Sequence, residues 1–190
     1  MSKIIYNNFP IVTDEFEVFN EALYQAMEKN EFGEVRQFLK DGSFLLMWKK
    51  KTDFVHRFYP SNSYFYSSKK YYPSNGYIMW KGINYVNGFA KGLWYDFDEK
   101  GHLIKTTDYD APYTFSFEDI LAYCRAHHIE VTKGYHRGGF QNRITRFNND
   151  KYGYYWIIRH LIAPDKIEAI YLDGKTGKEI ERFITEYINN

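Results

Sequence analysis

The side chains with catalytic or metal-binding potential are scattered along this chain and form no familiar catalytic motif. His127 and His128 are adjacent, so on a helix they point about 100° apart, whereas two metal ligands on one helix require i, i+4 spacing. We interpret them as the polar end of a helix. The sequence contains no nucleophile elbow, P-loop, dinucleotide-binding or His-Glu-x-x-His motif. It predicts no catalytic residue, metal site or cofactor, with an unrecognised enzyme as an alternative.

A short acidic run resembles the start of a calcium-binding loop. Asp96, Asp98 and Glu99 are followed by Lys100-Gly101, but a calcium loop needs a glutamate at the twelfth position, and the twelfth position counted from Asp96 is Thr107. We therefore predict an acidic turn between two strands. Exposed charges in such a turn contribute little to stability, so we expect lysine at positions 98 and 99 to leave folding nearly intact.

The single cysteine, Cys124, excludes an internal disulfide and any cysteine-based metal site. It falls within the apolar stripe of a predicted helix, which favours a small buried side chain over a nucleophile. The first residues lack the apolar core of a signal peptide, and no window approaches 18 apolar residues. We expect a cytoplasmic protein with no membrane span.

Composition excludes a strong overall electrostatic attraction to nucleic acid or membrane. Of 190 residues, 25 are Lys or Arg and 24 are Asp or Glu. Aromatic residues reach 21%, with 19 Tyr and 16 Phe. Tyrosine combines apolar area with a polar tip, so this surplus favours half-buried strands and interaction surfaces.

Charge is nevertheless uneven along the chain. The acids are concentrated at Asp96, Asp98, Glu99, Asp108 and Asp110. Residues 131–149 contain four bases and no acid, with aromatic residues interleaved: Lys133, Arg137, Arg143 and Arg146. A basic, aromatic segment of this kind can bind single-stranded nucleic acid by charge and stacking. Alternatively, the basic segment pairs with the acidic one inside the fold.

The stretch from Tyr71 to Asp110 predicts an antiparallel meander around which the chain is organised. Turn signals alternate with short aromatic and β-branched pieces, and Asn-Gly is a strong hairpin signal because both residues tolerate positive φ. The predicted strands are Tyr77–Trp80, Ile83–Val86, Leu93–Phe97 and Leu103–Thr107. The predicted turns are Ser74-Asn75-Gly76, Asn87-Gly88, Lys91-Gly92 and Glu99-Lys100-Gly101.

The meander contains a weak internal repeat. Residues 58–62 (FYPSN) recur as 71–75 (YYPSN), and residues 46–49 (LMWK) recur as 78–81 (IMWK). The pattern of glycine, aromatic and Asn-Gly positions from Tyr71 to Asp110 resembles MORN-type repeats, in particular the bacterial antitoxin-component variant. That resemblance covers about a fifth of the chain and implies a sheet used for binding and not for chemistry.

Helices are predicted on both sides of the meander. At the N-terminal side we predict Asp14–Lys29, with a further turn or two at Glu34–Lys40, and on the other side Ser116–His127 with Ser116 as N-cap. Strands at Tyr154–Ile162 and Ile167–Leu172 and a turn at residues 173–177 follow. Residues 179–188 are amphipathic, which favours a short strand running into a helix. The turn segment YLDGKTGKEI is similar to the hairpin of PepSY-like domains.

These elements predict an α+β fold. We expect an N-terminal helical segment (1–42), a MORN-like antiparallel meander (43–112) and a helix packed on a small antiparallel sheet (113–190), the last forming one continuous domain with the meander. The function predicted is a non-enzymatic protein-binding module, such as an antitoxin or immunity protein that neutralises a toxin or effector. Candidate contact or core aromatics are Tyr71, Tyr72, Trp80, Tyr85, Trp94 and Tyr95, with the five acids above as partner-binding carboxylates.

Overall fold

The computed structural model describes residues 10–187, which divide into two compact units. The larger unit contains the described residues up to Val86, together with Ala90–Tyr109 and Lys133–His136. The smaller unit contains Asn87–Phe89, Asp110–Thr132 and the described residues from Arg137 onward.

The larger unit is built on an antiparallel meander, as the turn signals predict. Within the described residues, seven strands pair in sequence order. They are β1 (Val35–Phe38), β2 (Phe44–Lys49), β3 (Phe54–Tyr59), β4 (Phe65–Tyr71), β5 (Ile78–Tyr85), β6 (Ala90–Phe97) and β7 (Leu103–Asp108). The meander starts earlier than predicted, since Val35–Phe38 is a strand where the sequence favoured helix.

One predicted turn in the meander is wrong. Lys91-Gly92 lies inside β6, where Gly92 has a φ of 62°. In β5, Lys81 is opposite Tyr95 and Ile83 is opposite Lys91. Between these two pairs β5 has one residue, Gly82, and β6 has three. The left-handed glycine absorbs the extra residues as a bulge, and the strand continues without a turn.

The inner face of this sheet carries the main core. A row of directly opposed residues crosses all seven strands: Val35, Met47, His56, Lys69, Lys81, Tyr95 and Thr106. Beside this row, Tyr71, Ile78 and Phe97 form a buried cluster with Phe19 and Tyr24 from the N-terminal segment. Burial of this apolar area is the main force that holds the segment on the sheet.

The N-terminal helices are shorter than predicted. The described part of this segment contains one helix, α1 (Glu21–Ala26), capped by the Asn20 side chain. Residues before it are extended because their backbone bonds to the sheet: Phe19 N–H donates to the Gly76 carbonyl, and Ile78 N–H donates to the Glu17 carbonyl. These bonds replace the helical ones that the apolar spacing favoured.

The smaller unit contains one helix and a second antiparallel sheet. The helix α2 (Phe117–Ala126) begins at Ser116, whose hydroxyl accepts from Asp119 N–H in a capping box, as predicted for this N-cap. The strands are β8 (Arg143–Asn149), β9 (Gly153–Ala163), β10 (Lys166–Asp173) and β11 (Glu179–Glu186), in the spatial order β11-β10-β9-β8.

The strand predicted at the start of residues 179–188 is confirmed, but the helix predicted to follow it is wrong up to residue 186, because Glu179–Glu186 pairs with β10 throughout apart from one bulge; residue 188 lies outside the described residues. The hairpin turn before this strand forms as predicted. The Asp173 carboxylate accepts from the backbone N–H groups of Lys175 and Thr176, and Gly177 closes the turn with a φ of 70°. No helix within residues 10–187 has the length and apolarity to cross a membrane.

Candidate functional site

The six aromatic residues predicted for partner contact divide between the core and the surface. Tyr71 and Tyr85 are 3% and 1% exposed and belong to the core. Tyr95 is partly buried and packs against the inner-face cluster. Trp80 and Trp94 lie together on the outer face of the sheet and keep part of their surface in solvent.

Three tryptophans share that outer face. A second row of opposed residues runs across it: Trp48, Val55, Lys70, Trp80, Asp96 and Lys105. Trp94 joins this row through its contact with Trp80, with ring centroids 5.2 Å apart, and it also contacts the exposed Tyr109 at 5.8 Å. We call Trp48, Trp80, Trp94 and Tyr109 the tryptophan face.

Local backbone geometry fixes the Trp94 ring. The ring lies against Gly82, and a Cβ atom at that glycine would be 2.2 Å from the indole. The indole N–H donates to the Ile83 carbonyl at 3.1 Å. The β6 bulge and the missing side chain at residue 82 therefore place this indole flat on the sheet.

Trp48 is fixed by polar contacts. Its indole N–H donates to the Asp53 carboxylate at 2.9 Å, and Lys70 forms an ion pair with the same carboxylate at 3.2 Å. Burial raises the pKa of Asp53, but the bonds from Trp48 and Lys70 outweigh it and leave the pKa below its usual value. The Arg57 guanidinium lies 5.6 Å from the Trp48 ring. A rigid, half-buried indole flanked by cations loses little side-chain entropy when a partner binds.

Part of the outer face is already covered by the chain itself. Tyr135 stacks on Phe44 with centroids 3.7 Å apart and planes 3° from parallel, and it also contacts Tyr59. This covered part contains the second buried cluster of the sheet. The tryptophans lie on the same face, and Trp80 and Trp94 are not members of that cluster.

Three of the five predicted acids form an acidic tip. Burial raises the pKa of Tyr72, and so do the nearby carboxylates of Glu99, Asp98 and Asp96. The Tyr72 hydroxyl donates to the Phe97 carbonyl at 2.8 Å, which holds the phenol beside these acids. Asp96 is also directly opposite Trp80, so the acidic tip adjoins the tryptophan face.

Asp98 has a structural role within this tip. Its carboxylate accepts backbone N–H groups from Lys100 and His102, each at 2.9 Å, and lies 3.1 Å from His102 Nδ1. The bond from the His102 backbone lowers the pKa of Asp98. Asp98 thus closes the turn, and the expectation that a lysine at position 98 leaves folding intact is not supported by this geometry.

The other two acids do not join the tip. Asp108 is opposite Leu93 at the far end of β7, about 17 Å along the strand from Leu103. Asp110 belongs to the smaller unit, where its carboxylate lies 2.8 Å from Arg146 Nη1. The five carboxylates therefore do not make one patch.

The four predicted bases are also separated. Lys133 belongs to the larger unit, donates to the Asn62 side chain at 2.8 Å and lies over the Tyr64 ring. Arg146 is 6% exposed and packs against three aromatic rings, so it is a structural residue. Arg137 and Arg143 are exposed in the smaller unit.

A compact ion cluster lies on the inner face, under the N-terminal segment. Lys69 and Lys81 are directly opposite, and Glu17 is 2.6 Å from Lys69 Nζ and 3.1 Å from Lys81 Nζ. Burial raises the pKa of Glu17, but the two lysines outweigh it and leave the pKa below its usual value. Lys81 also donates to the Glu15 carbonyl. A cavity of about 220 Å³ adjoins the cluster.

Burial, together with the charge of Lys69, lowers the pKa of the neighbouring His56 to about 4. The imidazole is therefore neutral near pH 7, and its Nδ1 makes no hydrogen bond within the described residues. An ionised carboxylate bound by two lysines serves to fasten the N-terminal segment to the sheet.

The remaining reactive groups show no catalytic arrangement. Cys124 is 1% exposed, and burial raises the pKa of its thiol to about 12, so the thiol is protonated and unreactive near neutral pH. Within the part of the chain that the structure describes, no three His, Cys, Asp or Glu side chains come together as metal ligands.

Comparison with protein-family models, curated proteins and solved structures finds no match to this chain.

Sequence reasoning missed Trp48, Tyr109 and Gly82 as parts of the site. The internal repeat carried the signal for one of them, since it aligns Trp48 with Trp80, and both lie in one row of the outer face. The role of Gly82 follows from strand register alone, which no local pattern in the sequence reveals.

Proposed function

We propose that this chain is a non-enzymatic protein-binding module and that the tryptophan face is its contact surface. The observation that carries the proposal is the half-buried Trp80–Trp94 pair, in which Gly82 and the Ile83 carbonyl fix the Trp94 ring and Trp80 packs against it. Tryptophan is strongly enriched among the residues that dominate binding energy at protein interfaces. Rings already fixed in the free protein lose little entropy on association.

The partner surface that fits this face is apolar at its centre and basic at one side. The acidic tip of Asp96, Asp98 and Glu99 adjoins the tryptophans, so an approaching basic protein would be attracted toward them. A toxin or effector that acts on nucleic acid presents a basic surface, which meets the second of these two requirements. We propose a neutralising role of the antitoxin or immunity type, exerted in the cytoplasm, in line with the MORN-like pattern of residues 71–110.

The proposal is tested with the product of the adjacent gene, expressed with and without this chain. We expect the wild-type chain to bind that protein and to relieve its effect on growth. Trp80→Ala and Trp94→Ala should each weaken the affinity by about 30-fold or more, the usual effect of a dominant interface tryptophan.

Phe32→Ala is the matched control. Phe32 is 74% exposed and lies outside the tryptophan face, so this change removes an exposed aromatic ring elsewhere on the surface. Equal affinity of the wild type and both tryptophan variants, with folding verified by circular dichroism, would refute the proposal.

A further inference from the structure

The smaller sheet has two faces, and α2 with the segment before it contacts only one of them. Adjacent residues of a strand point to opposite faces. Trp156 donates its indole N–H to the Phe115 carbonyl, and Arg182 donates to the hydroxyl of Tyr123 in α2, so α2 and the segment before it contact one face. Tyr155 and Phe183 therefore lie on the other face, which we call the ladder face.

Four stacked or tilted rings cross the ladder face from edge to edge. Phe147, Tyr155, Tyr171 and Phe183 come one from each strand, with successive centroids 6.0, 5.7 and 5.4 Å apart. Tyr155 in the interior is 7% exposed, whereas the end rings Phe147 and Phe183 are 46% and 39% exposed. The ladder is thus rigid at its centre and presents free ring surface at both ends.

Two arginines are directly opposite one another on this same face. Arg143 in β8 pairs in register with Arg159 in β9, and the row continues through the small Ala169 to Phe183. Like charges directly opposite in a sheet destabilise it. Neither arginine has an ion-pair partner among the described residues. Burial raises the pKa of Tyr155 and the charge of Arg159 lowers it, which places Arg159 beside the ladder.

The arginine pair destabilises the sheet unless an anion binds to it, and the exposed aromatic rings beside it can stack on flat aromatic groups. Together they match a ligand in which anionic and aromatic groups alternate. Arginine binds phosphate through two parallel hydrogen bonds, and exposed aromatic rings stack on bases. A duplex hides its base faces and offers only phosphates. A second copy of this chain would place arginine pairs against each other, and an acidic peptide would leave the end rings without partners.

We propose that the ladder face binds single-stranded nucleic acid, with phosphates on Arg143 and Arg159 and bases stacked on the exposed rings of Phe147 and Phe183. This site is separate in residues from the tryptophan face and does not depend on the protein partner proposed above. Of the four bases predicted from sequence, it uses Arg143 alone.

The test is fluorescence anisotropy of the full chain with a labelled oligouridylate, an oligothymidylate and a duplex of equal length, over a range of salt concentrations. We expect both single strands to bind more tightly than the duplex, and the ratio of the two single strands shows whether RNA or DNA is preferred. Arg143→Ala with Arg159→Ala should reduce the slope of log affinity against log salt by about 1.4, for two phosphate contacts. Phe183→Ala should weaken binding by about tenfold.

Matched controls keep the result interpretable. Arg125→Ala removes an exposed charge on α2, and Phe32→Ala removes an exposed ring from the other unit; both should bind as the wild type does. Phe183 is exposed on an edge strand, so its variant tests the site even if the double arginine variant does not fold. Equal binding of duplex and single strand, an unchanged salt slope, or binding of polyglutamate alone would each overturn the proposal.

Discussion

The indole ring of Trp94 lies so close to Gly82 that a Cβ atom on residue 82 would be 2.2 Å from the ring. Glycine at this position therefore supports the tryptophan face, because any side chain there would collide with Trp94. The bulge at Gly92 sets the register of β5 and β6, and this register places the Trp94 ring over Gly82 on the outer face.

Gly82→Ala should displace the Trp94 ring without removing it. We expect a loss of about 1–3 kcal/mol in the free energy of unfolding, typical of overpacking, together with weaker partner binding. In a Trp94→Ala background the clash is gone, so the same glycine change should cost much less. Urea denaturation of the four proteins in this double-mutant cycle measures the coupling. Additive effects would contradict the contact.

Arg146→Met should destabilise the smaller unit by about 1–3 kcal/mol, since it removes a buried cation that pairs with Asp110 and packs against three aromatic rings. Arg146→Lys keeps the charge but loses the planar packing against Phe89 and Tyr113, so an intermediate loss is expected. Thermal denaturation measures both, with the exposed Arg125→Ala as control. A change below about 0.5 kcal/mol for Arg146→Met would show that the pair is not structural.

Glu17 should contribute a pH-dependent share of stability. Its pKa in the folded protein lies below 4.5, so the ionised form is favoured by folding. The stabilisation is therefore present above about pH 4.5 and is lost as the pH falls through the folded pKa. Glu17→Gln should lower the free energy of unfolding by about 1–3 kcal/mol at pH 7, because Lys81 stays buried without its counter-charge.

The Glu17→Gln protein and the wild type should converge in stability at acid pH. Denaturation curves recorded from pH 7 down to pH 3 provide the comparison. A difference that stays constant over this range would mean that the carboxylate is not the stabilising group.

The two acids of the β6–β7 turn should behave differently. Asp98→Lys removes the acceptor of two backbone N–H groups and should lower the melting temperature. Glu99→Lys changes an exposed charge in the same turn and should leave the melting temperature unchanged while slowing association with a basic partner at low salt. Differential scanning fluorimetry and stopped-flow association separate the two effects. Equal melting temperatures for both variants would contradict the turn-closing role of Asp98.

The meander was predictable because its signals are local: Asn-Gly turns and alternating aromatic pieces define hairpins wherever they occur. The segment 179–186 was not, because Ile180, Phe183 and Ile184 fit the helical period as well as a strand with both faces exposed. Likewise, Lys91-Gly92 reads as a turn, and only the pairing with β5 makes it a bulge.

The candidate site was predictable only in part. The aromatic pattern of the meander placed Trp80 and Trp94 among the candidate residues, but it did not reveal that Tyr71 and Tyr85 face the core, since a one-residue shift of register exchanges the faces. The Arg143–Arg159 pair joins residues 16 positions apart, and it becomes visible only when β8 and β9 are placed side by side.

The affinity of the adjacent-gene product for the wild-type chain and for Trp80→Ala, measured by isothermal titration calorimetry, tests the central claim most directly. Trp80 is half-buried and belongs to neither buried cluster of the larger unit, so its removal should leave the fold intact. The tryptophan face as contact surface predicts a loss of about 30-fold or more. An affinity equal to that of the wild type, with an unchanged melting temperature, would contradict it.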